Sequence, residues 1–378
     1  MLRICLLCLV LLLTTSPVSA ALMPTPPAVA AEGYILVDAA SGHVVASANA
    51  DQPLEPASLT KVMTAYVVFR ELAAGNLRLG DTTRVSEKAW RMPGSRMFIE
   101  VNTEVDIESL LLGMIVQSGN DASVALAEHV AGSEDAFAML MNQHAARLGM
   151  DNSHFTNSSG LPGETHITTA RDMATLARAL IAEFPQYYDW YSQREYTYNG
   201  ITQHNRNRLL WRDDSVDGLK TGHTSRAGYC LLASAQRDGM RLISVVLGTT
   251  SENARAVETQ KLFNYGFRFF ETVRLIEAGR EIGRERIWQG ASDELLLAID
   301  EPLLLTIPRG QRERIRNELH FDGPLQAPVV AGEKVGTLRL FLGSQLLDER
   351  PLVAHEAVAA GSLLRRGIDR VRLMMQGD

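Results

Sequence analysis

Apolar positions recur with strand spacing in some stretches of the chain and with helical spacing in others. Residues 34–38 and 43–46 lie on either side of a Ser-Gly turn and predict a β-hairpin, and the apolar runs 228–235 and 241–248 predict a longer one. A helix is expected over 252–270, directly after the second hairpin. Because helices and hairpins are interleaved, the sequence predicts an α+β fold with a largely antiparallel sheet flanked by helices.

Helical spacing is clearest in the first half of the chain. A helix is predicted over 58–74, where the apolar positions share one face and Gly75 follows as a stop signal. Residues 149–168 are rich in Gly, Asn, Ser, Thr and Pro, and they predict a long loop of the kind that is often functional. Further helices are predicted over residues 107–116, 121–132, 134–148 and 169–181.

The composition changes after about residue 275. Short apolar bursts between Gly, Pro and Asp turns predict a small all-β domain over 276–360. Residues 361–378 then form an amphipathic helix with arginines around most of its circumference, in which Leu373 alone is out of place. Such a helix is expected to lie in the plane of an anionic membrane, and the alternative is that it docks on the all-β domain. Its apolar face comprises Leu364, Ile368, Val371 and Met375, extended by Leu363 and Met374.

The first twenty residues have the pattern of a secretory signal. Arg3 precedes an apolar run over 4–13, and small residues at 18 and 20 fit cleavage after Ala20. The run is too short for a full membrane span, which disfavours an uncleaved anchor. We therefore expect an exported protein. The predicted organisation is a signal peptide over 1–20, a main domain over 21–275, an all-β domain over 276–360 and an anchoring helix over 361–378.

Composition narrows the possible partners. The formal net charge is −7 and the pI is near 5.8, and no basic stripe stands out, which argues against nucleic acid as a partner. Cys5 and Cys8 lie in the predicted signal peptide, so Cys230 is the one cysteine left and no intramolecular disulfide is expected. Cys230 stands in an apolar run and is predicted to be a buried core residue.

The first chemical candidate is the stretch Ser58-Leu59-Thr60-Lys61. Ser58 precedes the apolar helical pattern, and Lys61 lies one turn further along the same face. A serine is a weak nucleophile until a base takes its proton, and a lysine that is held neutral can act as that base. Taken alone, the pair is more simply interpreted as a helix N-cap followed by a solvated lysine.

Two further motifs follow in order, Ser118-Gly119-Asn120 and Lys220-Thr221-Gly222. The three together are the set found in penicillin-binding proteins and, with Asp in the middle of the second motif, in class A β-lactamases. An acyl transferase needs a nucleophile, a base, a proton relay and an oxyanion hole, which gives each residue a role. Ser58 is the nucleophile and Lys61 its base, with Lys220 as a cation that keeps Lys61 neutral.

The remaining roles follow from side-chain chemistry. Ser118 is expected to relay a proton and Asn120 to hold the substrate amide and orient Lys61, although both could simply cap helices. Thr221 can donate to a substrate carboxylate, and Gly222 lets the backbone approach the substrate. The N–H groups of Ser58 and His223 would form the oxyanion hole, while the His223 side chain is as readily a surface residue.

Three stretches carry a family resemblance, Glu55 to Lys61, Gln117 to Ala122 and Val216 to Thr224. They resemble the exported D-alanyl-D-alanine carboxypeptidases, which are the low-molecular-mass, class C penicillin-binding proteins. The resemblance implies a penicilloyl-serine transferase-type, β-lactamase-like domain that removes the terminal D-alanine from peptidoglycan stem peptides and binds β-lactams covalently. It implies no metal and no cofactor. It also implies a peripheral position on the periplasmic face of the inner membrane, through the C-terminal helix.

Two arginines are carried over from the same resemblance. Arg206 resembles a family arginine at the rim of the active site, and Arg255 resembles one associated with the terminal carboxylate of the substrate. A guanidinium fork suits that carboxylate, and surface ion pairs are the alternative for both residues. Residues 211–215 differ from the family pattern by about one residue, which leaves the geometry of the rim open.

Other functions remain as alternatives at this stage. A serine β-lactamase would need a residue that activates water; Glu164 lies in the long loop, but it lacks the neighbouring Leu-Asn of class A enzymes. A non-catalytic protein that binds peptidoglycan in the cell envelope is a second alternative. An endopeptidase that cuts cross-links would use the same mechanism.

Overall fold

The structure is a computed structural model that describes residues 24–376, so the predicted signal peptide lies outside the described residues. The helices before residue 270 are α1 (Thr60–Ala73), α2 (Glu87–Trp90), α3 (Ile107–Gln117), α4 (Asn120–Ala131), α5 (Glu134–Arg147), α6 (Ala170–Glu183), α7 (Pro185–Tyr188), α8 (Leu209–Arg212) and α9 (Glu252–Phe269). The strands are β1 (Gly33–Asp38), β2 (Val44–Ala48), β3 (Thr82–Arg84), β4 (Glu104–Asp106), β5 (Glu195–Tyr198), β6 (Ile201–His204), β7 (Val216–Thr224), β8 (Gly228–Arg237) and β9 (Met240–Thr249).

A five-stranded sheet organises the main domain, with strand order β2-β1-β9-β8-β7 and every neighbouring pair antiparallel. Both predicted hairpins are present in it, and the predicted α+β fold is confirmed. Helix α9 and the short helix α8 pack on one face of the sheet, and helices α1 to α7 lie on the opposite side. Strand β8 shows why its sequence is apolar throughout: Cys230 and Leu232 pack toward one helical layer, whereas Leu231 and Ala233 pack toward α9.

The second unit is built from strands, as the sequence predicted. Its strands are β10 (Phe270–Ile276), β11 (Gly283–Trp288), β12 (Glu294–Ala298), β13 (Leu303–Pro308), β14 (Ile315–His320), β15 (Leu325–Gln326), β16 (Lys334–Leu342) and β17 (Gln345–Ala354). The six-stranded sheet has the order β14-β16-β17-β12-β11-β15, and β10 pairs with β13 in a separate ribbon. The predicted boundary at residue 275 falls inside β10, which continues directly from α9.

Hydrogen bonds join the main domain to the β-domain at the end of β1. Asp38 is fully buried there and accepts a 2.6 Å hydrogen bond from the hydroxyl of Thr272, on β10. The hydroxyls of Ser41 and Thr306 lie 2.6 Å apart across the same junction. These contacts set the orientation of the β-domain against the sheet that carries the candidate site.

The C-terminal helix α10 (Leu363–Gln376) touches the β-domain through its polar side. Asp369 is buried and accepts a 2.8 Å hydrogen bond from the N–H of Gln289, and Arg365 pairs with Asp293. Leu373, the residue out of place in the sequence pattern, lies one turn after Asp369 and is half-buried. The predicted apolar face stays exposed, with Leu364 76% and Met375 76% accessible. Within residues 24–376, no helix has both the length and the apolar character that a membrane crossing requires.

Candidate active site

The candidate site is a cleft of about 400 Å³ between the sheet edge and the helical layer. A turn of 3₁₀-helix, Ala57–Leu59, brings Ser58 into the cleft just before α1 begins at Thr60. The edge strand β7 forms one wall, and the junction between α3 and α4 forms another. The cleft is lined by Ser58, Gly94, Ser95, Ser118, Arg206, Thr221, Gly222, His223, Tyr229, Glu252 and Arg255.

Lys61 is buried beneath the cleft, with only 1% of its surface exposed. Its Nζ donates to Ser58 Oγ at 3.1 Å, to Asn120 Oδ1 at 2.7 Å and to the carbonyl oxygen of Ser159 at 2.6 Å. A buried amine with three acceptors is fixed in direction as well as position. The reading of Lys61 as a solvated helix residue is therefore excluded.

Burial also changes the protonation of this amine. Loss of hydration, assisted by the positive charge of Arg206 and opposed by Asp121, lowers the pKa of Lys61 from its ordinary value of 10.5 to about 7. The sequence suggested Lys220 as the cation that keeps Lys61 neutral, but the cation that lowers the pKa of Lys61 is Arg206. Lys220 is buried, at 3% exposure, and burial together with the charge of Lys61 holds the pKa of Lys220 well below its usual range.

The second motif occupies a sharp change of direction between two helices. Ser118 ends α3 in the left-handed region, with φ of 72°, and Asn120 is the first residue of α4. Neither side chain caps a helix, because α4 begins after Gly119 without a side-chain cap. Ser118 instead faces the cleft, and Asn120 donates from Nδ2 to the Pro93 carbonyl at 2.6 Å while its Oδ1 accepts from Lys61.

The third motif lies on β7 and runs beside the 3₁₀ turn. A Cβ atom at Gly222 would lie 3.2 Å from the backbone nitrogen of Ser58 and 3.0 Å from the Pro56 carbonyl oxygen, so this close approach favours glycine. Thr221 and His223 line the cleft on either side of Gly222. The His223 ring packs against Tyr229, with ring centroids 4.0 Å apart, which places the imidazole in the wall of the site.

Both candidate arginines reach the cleft. Arg255 is 4% exposed, donates from Nη1 to the Gly222 carbonyl at 3.2 Å and lies over the ring of Tyr229. Arg206 is exposed at the rim. Within the part of the chain that the structure describes, neither guanidinium forms an ion pair, so the alternative of surface ion pairs does not hold.

Sequence reasoning missed three groups that shape this site. The Ser159 carbonyl is the third acceptor for Lys61, Gly160 packs against the turn before Ser58, and Asp121 fixes a loop of the cleft wall. The only available signal for Ser159 and Gly160 was the length and composition of loop 149–168. Asp121 directly follows the second motif, where an acidic residue in the first turn of a helix reads as ordinary dipole stabilisation.

Gly160 gives a stability prediction. Its φ is +82°, and a Cβ there would collide with the Ala57 carbonyl next to Ser58. Gly149 has a similar φ of +72° with no atom within 4 Å of the added Cβ, so it serves as the control. We expect Gly160→Ala to lower the free energy of unfolding by at least about 2 kcal/mol more than Gly149→Ala, measured in urea. Equal losses would contradict the predicted clash.

Ser58 lies in a cleft, forms a hydrogen bond with a buried lysine and is flanked by two polar motifs. These features define a serine hydrolase that works through an acyl-enzyme. Residues 20–251 match the family described as D-alanyl-D-alanine carboxypeptidase, and residues 270–360 match the family described as penicillin-binding protein 5, C-terminal domain. The chain belongs to the D-alanyl-D-alanine carboxypeptidases of the penicillin-binding protein class. The family resemblance, the fold and the reaction expected from the sequence are thereby confirmed.

Curated relatives and solved structures agree with this assignment. D-alanyl-D-alanine carboxypeptidase DacA of Escherichia coli K12 is 41% identical over 93% of this chain and 90% of the relative. DacC of the same strain is 44% identical over 92% and 89%. Penicillin binding protein 5 from Haemophilus influenzae superposes with a TM-score of 0.87 at 40% identity, covering 89% of this chain and 99% of that one. Penicillin-binding protein D2 from Listeria monocytogenes, solved in its ampicillin-bound form, is 29% identical with a TM-score of 0.60, covering 65% of this chain and all of that one.

Proposed function

We propose that Ser58 is the nucleophile of this carboxypeptidase and that Lys61 is its general base. The observation that carries the proposal is the Lys61 amine, 3.1 Å from Ser58 Oγ and with a pKa lowered to about 7. A neutral amine at that distance can take the hydroxyl proton as Ser58 attacks the carbonyl of the D-Ala-D-Ala bond. The peptide is then held as an ester on Ser58 until water releases it.

The other cleft residues have roles that fit their positions. The N–H group of Ser58 lies where Gly222 passes the 3₁₀ turn, and it would donate to the oxyanion together with the N–H group of His223, the next residue on β7. Ser118 would pass the proton to the leaving amine, with Lys220 as the neighbouring buried amine. Thr221, Arg206 and Arg255 surround the end of the cleft that would hold the free carboxylate of the terminal D-alanine, while Asn120 orients Lys61 and holds the substrate amide.

The substrate is proposed to be the stem peptide of peptidoglycan that ends in D-Ala-D-Ala. The test compares a soluble linear peptide of that kind with a cross-linked one and measures D-alanine released and new peptide ends. Release of D-alanine from the linear peptide alone supports a carboxypeptidase. Faster cleavage of the cross-linked peptide would instead identify the chain as mainly an endopeptidase.

The alternative functions are disfavoured by particular residues. Glu164, the one candidate for a β-lactamase water-activating residue, is exposed and is absent from the cleft lining. A protein that only bound peptidoglycan would not require a desolvated amine next to a serine hydroxyl.

We also propose that the protein is exported through its first twenty residues and that it acts at the periplasmic face of the inner membrane. The support is the amphipathic helix α10, whose polar side contacts the β-domain and whose apolar side is exposed. Arg366, Arg370 and Arg372 are exposed beside that apolar side, which suits an anionic lipid surface. The all-β domain would then lift the active site from the membrane toward the cell wall.

Truncation tests this anchor. We expect the protein without residues 361–378 to stay folded and active on soluble peptide but to move from the membrane to the soluble fraction. Ile368→Asp, on the apolar face, should weaken membrane binding in the same direction. Val330→Asp is the matched control, because Val330 is an equally apolar, 64% exposed residue of the β-domain. A truncated protein that still sediments with membranes at high salt would show that the anchor lies elsewhere.

A further inference from the structure

The carboxylate of Asp121 is fully buried beside the cleft and accepts hydrogen bonds from four backbone N–H groups. Oδ1 accepts from Met97 and Ala122, both at 2.9 Å, and Oδ2 accepts from Phe98 at 2.9 Å and from Ile99 at 3.3 Å. Three of these donors are consecutive residues of one loop. Such a run of amides on one charged acceptor fixes the backbone that carries them.

The loop needs this support because part of its backbone is strained. Phe98 has a φ of 68°, in the left-handed region that bulky residues rarely adopt, and it is 43% exposed, so packing of its side chain secures this conformation only in part. The bond from the Phe98 N–H to Asp121 stabilises the strained conformation further.

The same loop forms a wall of the cleft and holds the second motif. Gly94 and Ser95 line the cleft, and the Ser95 carbonyl accepts a 2.7 Å bond from the Asn120 N–H. The Pro93 carbonyl accepts a 2.6 Å bond from Asn120 Nδ2, whose partner atom Oδ1 accepts from Lys61 at 2.7 Å. The position of the loop thus determines the orientation of the Asn120 amide and, through it, the direction of the Lys61 amine.

We propose that Asp121 is a positioning residue for acylation: by holding loop 93–99 it fixes Asn120, and through Asn120 it aims Lys61 at Ser58. The inference rests on the roles proposed above for Asn120, Lys61 and Ser58. It adds a residue outside the three motifs, one that touches neither the reacting hydroxyl nor the base.

The charge of Asp121 has a second, measurable effect. It raises the pKa of Lys61 against burial and against the positive charge of Arg206. The other titratable groups that act electrostatically with Lys61 are Lys220, on β7, and His166, in loop 149–168. Removing the Asp121 charge should therefore move the titration of Lys61 to lower pH, which loss of packing alone would not do.

The test is Asp121→Asn, with acylation by a chromogenic β-lactam measured across pH. We expect the rate constant on the high-pH plateau to fall by about 10- to 100-fold, because the base is misaligned. We expect the rise of the rate to occur at lower pH than in the unmodified enzyme. A folded Asp121→Asn protein with an unchanged plateau and an unchanged pH profile would overturn the inference.

Asp172→Asn is the matched control. Asp172 is also buried in the first turn of a helix, and its carboxylate accepts from the Asn152 N–H at 3.1 Å and from the Ser153 hydroxyl at 2.7 Å. This variant should lose thermal stability without a change in the acylation plateau or pH profile. If it changes acylation as Asp121→Asn does, the effect is general destabilisation and the inference fails.

Two further variants complete the design. Asn120→Ala should lose acylation; normal acylation in that variant would refute the proposed roles, whereas its loss beside a normal Asp121→Asn protein would refute only this inference. If Asp121→Asn does not fold, the double variant Gln117→Ala, Gln203→Ala decides. Both side chains donate from Nε2 to the Arg96 carbonyl of the loop, Gln117 at 2.8 Å and the half-buried Gln203 at 3.1 Å. A severalfold fall in acylation supports positioning by the loop, and an unchanged rate overturns it.

Discussion

Replacing Ser58 by alanine is expected to abolish both the release of D-alanine and covalent labelling by penicillin. The Ser58 hydroxyl receives the 3.1 Å bond from Lys61 and lies where Gly222 brings the edge strand against the turn. Without it, the reaction has no group that can form the acyl-enzyme. The loss in turnover should be on the order of a million-fold, as for removal of other serine nucleophiles.

Ser95 and Ser118 serve as matched controls for Ser58, because both residues line the same cleft. Ser95→Ala should still be labelled, and Ser118→Ala should be labelled slowly, since Ser118 is assigned to proton transfer rather than attack. Mass spectrometry of the labelled protein should place the penicilloyl group on Ser58. An adduct on either of the other two serines would refute the assignment.

The fold was largely predictable because its elements have strong local patterns. Strands β8 and β9 are apolar on both faces, since helices cover both sides of the sheet, and each run was long enough to mark a strand. The domain boundary was harder to place. Strand β10 follows α9 without a turn, so no Gly or Pro marked the point where one unit ends and the next begins.

One residue of the C-terminal helix α10 breaks its amphipathic pattern, and the contact of that helix with the β-domain accounts for it. Leu373 interrupts the charged side of an otherwise regular amphipathic pattern. It lies one turn beyond Asp369, on the side of α10 that meets the β-domain, and it is half-buried there. Periodicity alone does not show which side of such a helix stays exposed and which side meets its own domain.

Within the site, motif chemistry identified side chains but not backbone groups. Ser58, Lys61 and Asn120 are joined by direct bonds, as their roles require. The Ser159 carbonyl also binds the amine, but a carbonyl is present at every residue and leaves no mark in a sequence. The cation that lowers the pKa of Lys61 could not be assigned either. Arg206 is distant from Lys61 in the sequence, and the neighbouring Asn207 joins its loop to β7 by a 3.0 Å bond from Nδ2 to the Gly218 carbonyl.

Acylation is expected to rise with pH through a pKa near 7, the value to which burial and Arg206 lower the pKa of Lys61. Below that pH the amine is protonated and cannot accept the Ser58 proton, and above it the rate reaches a plateau. The same shift affects stability. Between about 7 and its ordinary value of 10.5, the amine is protonated in the unfolded chain and neutral in the folded one, so this group makes stability rise with pH.

Lys61→Arg is expected to reduce acylation by about 100- to 10,000-fold at every pH and to remove the rise near pH 7, because a guanidinium does not give up its proton. Lys220→Arg is the matched control, since Lys220 is also a buried lysine in this site with a lowered pKa. Lys220→Arg should keep the pH dependence, because Lys61 still titrates, and should lower the plateau, because a bulkier guanidinium replaces a buried amine of the site. If the rise persists in Lys61→Arg and disappears in Lys220→Arg, the titrating base is Lys220 and Lys61 has only a positioning role.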